Sequence, residues 1–69
     1  MEVVMADYTN SQISALIDEY IHVERDRELM KRRMCDGIVY ERLGWEFSLS
    51  DRQVKNIVSK CMQILIQYL

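Results

Sequence analysis

The residues best suited to chemistry in this chain lie in one short run, SLSDRQVKNIVSK, from Ser48 to Lys60. Read as a helix opening at Ser50, the run places Arg52, Lys55, Asn56, Ser59 and Lys60 at i, i+3, i+4, i+7 and i+8, which is one face. These side chains suit double-stranded DNA. Arginine pairs bidentately with guanine, asparagine pairs with adenine, and lysine suits a phosphate. A merely solvated face more often mixes Glu with Lys. This one carries a single acid, Asp51, in the first turn where the helix dipole favours it.

Other chemistry is not supported by the side chains present. The one histidine, His22, has no second histidine, cysteine or acid at metal-ligand spacing. It also has no partner for nucleophilic catalysis, so no enzyme, metal site or cofactor is expected. Cys35 and Cys61 stand far apart without a CxxC spacing and read as free thiols of a cytoplasmic protein. Trp45 and Tyr40 are able to stack on bases, but on so short a helix they are expected at the rim of the core.

The net charge of -2 has the wrong sign for a phosphate binder, yet it is unevenly spread. Before Arg25 stand Glu2, Asp7, Asp18, Glu19 and Glu24 and no lysine or arginine; all nine basic residues follow, with six acids. A partner feels the local field, which decays over about 8–10 Å at ordinary salt. An acidic chain can therefore present a basic face.

Four elements must position that face. The 69 residues form one domain, with 49% apolar residues, no proline and two glycines. That composition favours helices with short connections over a turn-rich β fold. Residues 1–9 read as a flexible tail whose Val3, Val4 and Met5 are able to dock on the core. A first helix starts at Asn10 or Ser11, with Ile13, Leu16, Ile17, Tyr20 and Ile21 as its apolar stripe. A second covers residues 24–35, with Glu24, Asp26 and Glu28 near its start and Lys31, Arg32 and Arg33 near its end, matching the helix dipole. Leu29, Met30 and Met34 supply its apolar side, and Gly37 after Asp36 stops it in a left-handed conformation. The third, 39–46, turns Leu43 inward, with Phe47 just past its end also facing the core.

The fourth opens with Ser50 and Gln53 as a capping box. Val54, Ile57, Cys61, Ile64 and Tyr68 form its inner face, widened by Val58, Met62, Leu65 and Leu69. So apolar an end suggests burial on two sides. Either the first helix and tail cover it, or it is a homodimer contact or a docking surface for RNA polymerase. The closing run from Cys61 is too short to cross a bilayer, and the N-terminus lacks the pattern of a secretory signal, so no membrane role is expected.

An all-α domain of four helices follows, and its second half has the steric requirements of a helix-turn-helix. The two helices cross closely, which calls for a small residue inside the first, and Gly44 stands there. Glycine costs about 1 kcal/mol relative to alanine in a helix, so a packing reason is implied. Leu43, Phe47, Leu49, Val54 and Ile57 supply apolar side chains before, in and after the corner. An ordinary helical hairpin needs the same spacing; the outward face of the fourth helix separates the two readings.

From Arg25 to about Leu65 the chain resembles region 4 of bacterial sigma-70 factors and the small phage-type transcriptional regulators built on that fold. The resemblance rests on the charged second helix, the stop at Asp36-Gly37 and the pattern YERL-x-x-EF-x-LS-x-x-x-VK-x-I from Tyr40 to Ile57. Response-regulator domains of the LuxR type share much of that pattern. Two positions depart from it. Val39 stands where the family opens the third helix with threonine or serine, and Ser48 stands at the usual corner glycine. The resemblance implies a transcriptional regulator whose fourth helix enters the major groove. It implies DNA contacts by Ser50, Arg52, Gln53, Lys55, Asn56 and Lys60, with Arg32, Arg33 and Arg42 as candidates for flanking phosphates.

Overall fold

The computed structural model of the chain describes residues 8–68, and within them the backbone forms four α-helices and no strand. The helices are α1 (Asn10–Tyr20), α2 (Glu24–Met34), α3 (Tyr40–Phe47) and α4 (Asp51–Ile66). The all-α class is as expected. Val3, Val4, Met5 and Leu69, and most of the expected tail, lie outside the described residues.

Each helix begins where its local chemistry allows. α1 is capped by Thr9, one residue ahead of the expected Asn10 or Ser11. Its hydroxyl accepts the Gln12 N–H at 3.2 Å, while the Gln12 side-chain oxygen accepts the Thr9 N–H at 2.9 Å. Threonine wins because glutamine stands three residues on, which completes a reciprocal capping box. α2 and α3 start after Val23 and Val39 with no side-chain cap. α2 compensates with Glu24 and Asp26 in its first turn and three cations in its last. Gly37 then takes a left-handed φ of 68°, and the Ile38 N–H reaches back to the Arg32 carbonyl at 3.2 Å.

α2 and α4 each touch all three other helices, whereas α1 and α3 do not meet among the described residues. The core between them holds Ile13, Ile17 and Ile21 of the first segment, Leu29 and Met30 of α2, and Leu43 of α3. α4 adds Val54, Ile57, Val58, Cys61 and Leu65. The α4 positions follow i, i+3, i+4, i+7 and i+11, so one stripe faces inward and the basic stripe faces out.

Three features correct or extend the sequence expectation. Trp45 is 79% exposed instead of lining the core rim, because α3 already spends its inward arc on Leu43, Gly44 and part of Phe47. Tyr40 does sit part-buried against the core, under the Arg33 guanidinium at 4.5 Å. The end of α4 is covered within the chain on one side: Leu65 is buried, Ile64 half-buried, and Ile66 and Tyr68 are each 48% exposed. Tyr68 stacks on Tyr20 of α1, with ring centroids 3.6 Å apart and planes within 5°. Asp26, expected only as a first-turn acid matching the helix dipole, is buried, at 1% exposure. No helix among the described residues is long and apolar enough to cross a membrane.

Candidate nucleic-acid interface

The corner between α3 and α4 is built by three residues. Gly44 lies where the helices cross, and a Cβ added there would come within 2.6 Å of the Leu49 carbonyl oxygen. Only glycine admits that approach. Ser48 ends α3 in the left-handed region at φ 57° and ψ 45°, the one non-glycine residue with positive φ among those described. The N–H groups of Ser48 and Leu49 both turn to the Gly44 carbonyl, the latter at 2.8 Å. The conformation that the family pattern assigns to glycine is therefore adopted by serine, at a cost of roughly 1–2 kcal/mol.

Ser50 then caps α4. Its hydroxyl accepts the Gln53 N–H at 3.2 Å, and the Gln53 side-chain oxygen accepts the Ser50 N–H at 2.9 Å. Ser50 and Gln53 are thus committed to the cap through these oxygens, which leaves the exposed Gln53 amide nitrogen outward. Arg52, Lys55 and Asn56 follow on the outer face, all exposed, with no polar partner among the described residues.

That freedom is unusual within this chain. Of nine basic side chains, Arg25, Arg27, Lys31, Arg32, Arg33, Arg42 and Lys60 each have an internal partner. Arg52 and Lys55 have none among the described residues. Arg32 forks onto Glu46 with Nε to Oε1 at 2.9 Å and Nη2 to Oε2 at 2.7 Å, and gives Nη1 to Asp36 at 3.0 Å. Arg42 adds a contact to the same Glu46 at 3.3 Å. These bonds, chiefly those from Arg32, hold the Glu46 carboxyl below its ordinary pKa. Arg33 gives Nη1 to the Ile38 carbonyl at 3.1 Å and packs over Tyr40. The three arginines expected at flanking phosphates are therefore each engaged: Arg32 and Arg33 join α2 to α3 and the segment before it, and Arg42 pairs within α3 while keeping 67% of its side chain exposed.

Lys60 lies on the same outer stripe, four residues beyond Asn56, and its Nζ is 3.5 Å from Asp26 Oδ2. Arg25 holds the other oxygen of that carboxylate, with Nε at 3.3 Å and Nη2 at 3.2 Å. Arg25 was not singled out from the sequence. The available signal was the spacing of Asp26, three and four residues before Leu29 and Met30, which places it on the buried side of α2 beside Arg25.

No group of three or more potential ligands able to hold a metal ion occurs among the described residues. Cys61 is buried and Cys35 half-buried, and burial pushes both thiols above their ordinary pKa. Comparison of the chain with protein-family models, with curated proteins and with solved structures gives no match.

Proposed function

We propose that this chain is a small transcriptional regulator that binds double-stranded DNA, placing α4 in the major groove in the manner of sigma-70 region 4 and related phage-type regulators. The observation that carries the reading is the outer face of α4. Arg52, Lys55 and Asn56 stand exposed and unpartnered among the described residues, while the chain's other cations are engaged internally. The tight corner at Gly44 and Ser48 supports it, since it sets α4 across α3 at a close crossing, as a helix-turn-helix requires. In this reading Arg52 and Asn56 face base edges and Lys55 a phosphate, with Gln53 limited to its free amide nitrogen.

Fluorescence anisotropy with mixed-sequence duplexes at low salt tests the reading. Binding is expected, and it weakens with added salt as phosphates are neutralised and counterions released. Arg52→Ala or Asn56→Ala is expected to weaken a preferred site by about 1–3 kcal/mol and to relax its sequence preference. No binding at protein concentrations on the order of 100 μM, the weak end of non-specific duplex affinity, overturns it. So does equal binding by an Arg52→Ala, Lys55→Ala double variant.

A second reading keeps the fold and makes it a protein-interaction module that self-associates or docks on RNA polymerase. The half-exposed Ile66 and Tyr68 at the end of α4 favour it, as does the exposed Trp45. Light scattering reports self-association directly. Recovery of polymerase subunits by the tagged chain, with no duplex binding, would favour this second reading over the first.

A further inference from the structure

Asp26 is a nearly fully buried carboxylate, with a side chain 2% exposed, and the DNA-reading role leaves it without a task. Its two oxygens are divided between cations from different helices: Oδ1 accepts from Arg25 Nε and Nη2, and Oδ2 faces Lys60 Nζ at 3.5 Å. Both cations remain outward, Arg25 with half of its side chain exposed and Lys60 with 63%. The trio carries a net charge of +1. Arg25 keeps Nη1 free of the carboxylate, and the Lys60 ammonium, at 3.5 Å, is too loosely held to spend all three of its protons there.

The position of the trio relative to the outer face of α4 gives it a use. Arg52, Asn56 and Lys60 succeed one another at four-residue intervals on the outer stripe. Eight residues of helix separate Arg52 from Lys60, which is about 12 Å along the axis. A recognition helix meets the base edges with its N-terminal residues, so with Arg52 there the later turn carrying Lys60 lies toward the phosphates, and Arg25 comes with it because both are gathered on Asp26.

We infer that Arg25 and Lys60 together form a seat for a backbone phosphate of duplex DNA, preassembled across α2 and α4 by the buried Asp26. The inference rests on the DNA-binding reading of α4 and adds to it a residue, Arg25, from outside the helix-turn-helix. Asp26 is a positioning residue in this arrangement: it limits the freedom that two long, flexible side chains would otherwise lose on binding. The seat reads no base, so its contribution is the same on every duplex sequence.

The test is the salt dependence of duplex binding, measured by anisotropy on two mixed-sequence duplexes for the wild type, Arg25→Ala, Lys60→Ala and the double variant. Each single loss is expected to lower the slope of log K against log salt by about 1, and the double loss by no more than that, because the seat neutralises one phosphate, equally on both duplexes. Over a fourfold rise in salt, each single variant should therefore lose affinity about three- to fourfold less steeply than the wild type. Arg25→Lys keeps the charge and is expected to keep the slope. Lys31→Ala, which removes a cation paired with Asp18 elsewhere on α2, is expected to leave it unchanged. Circular dichroism establishes that each variant is folded. A wild-type slope in folded Arg25→Ala overturns the inference alone. Absence of duplex binding by the wild type overturns it together with the reading on which it rests.

Discussion

Replacing Gly44 with alanine sets two effects of opposite sign against each other, and the structure says which prevails. Helix propensity alone favours alanine by about 1 kcal/mol at an interior position. Against it stands the added Cβ, 2.6 Å from the Leu49 carbonyl oxygen, 3.7 Å from the Leu49 carbonyl carbon and 4.0 Å from Val54 Cγ2. The atom met first is backbone, so no side-chain rotation relieves it. The corner from Ser48 to Ser50 must move, while Leu49 N–H is bonded to the Gly44 carbonyl at 2.8 Å and Ser50 is held in its capping box. Overpacking of a close contact costs typically about 1–3 kcal/mol, and a rigid backbone neighbour places this case near the top of that range. The net expectation is a loss of about 2 kcal/mol.

For a domain this small, each kcal/mol moves the melting temperature by about 4–8 °C, so Gly44→Ala should melt about 8–16 °C below the wild type. Urea unfolding followed by circular dichroism gives the same quantity as a lowered midpoint at unchanged slope. Duplex binding should suffer beyond the loss of folded protein, because the shift changes the angle at which α4 leaves the corner. A Gly44→Ala variant more stable than the wild type would refute the reasoning, for it would mean that propensity decides and the helices do not cross as closely as described.

Ser48→Gly should act in the opposite direction. It relieves the left-handed backbone cost of roughly 1–2 kcal/mol and gives back part of it in the freedom of the unfolded glycine, for a net gain of about 0.5–1 kcal/mol in urea unfolding. A lower midpoint than the wild type would contradict the corner geometry. Glu46 is held below its ordinary carboxylate pKa of 4.5 first by Arg32 and then by Arg42, so the unfolded chain binds the proton more readily. Its contribution is complete above that ordinary value and is lost as pH falls through the lower, folded one. The stability difference between wild type and Glu46→Gln should accordingly be constant near neutral pH and shrink in acid, which pH-dependent urea midpoints can check. Finally, iodoacetamide at neutral pH should modify half-buried Cys35 before buried Cys61, both slowly because their thiols resist ionisation. Peptide mass mapping that found Cys61 labelled first would contradict the placement of α4.

Much of this molecule follows from local rules that its sequence states openly. The Ser50–Gln53 cap, the left-handed Gly37, the inward stripe of α4 and the opposed face of Arg52, Lys55 and Asn56 depend on residues within one or two helical turns. Spacing along the chain is enough to specify them. Gly44 belongs with them in part: its energetic cost in a helix announced a close approach, though not that the approaching atom was the Leu49 carbonyl.

What only the tertiary structure decided is where charge goes once the helices meet. Arg32 of α2 meets Glu46 of α3, and Lys60 of α4 meets Asp26 of α2, pairings that no periodicity along a single helix encodes, unlike the i,i+4 pair of Arg42 with Glu46. The same holds for Trp45, left outside because Leu43 and Gly44 already fill the inward arc of an eight-residue helix. Hydrophobic burial is readable because it depends on each residue's own transfer from water. Ion pairing between helices depends on which side chains the packed core brings within a few ångströms, so it exists only after the fold does.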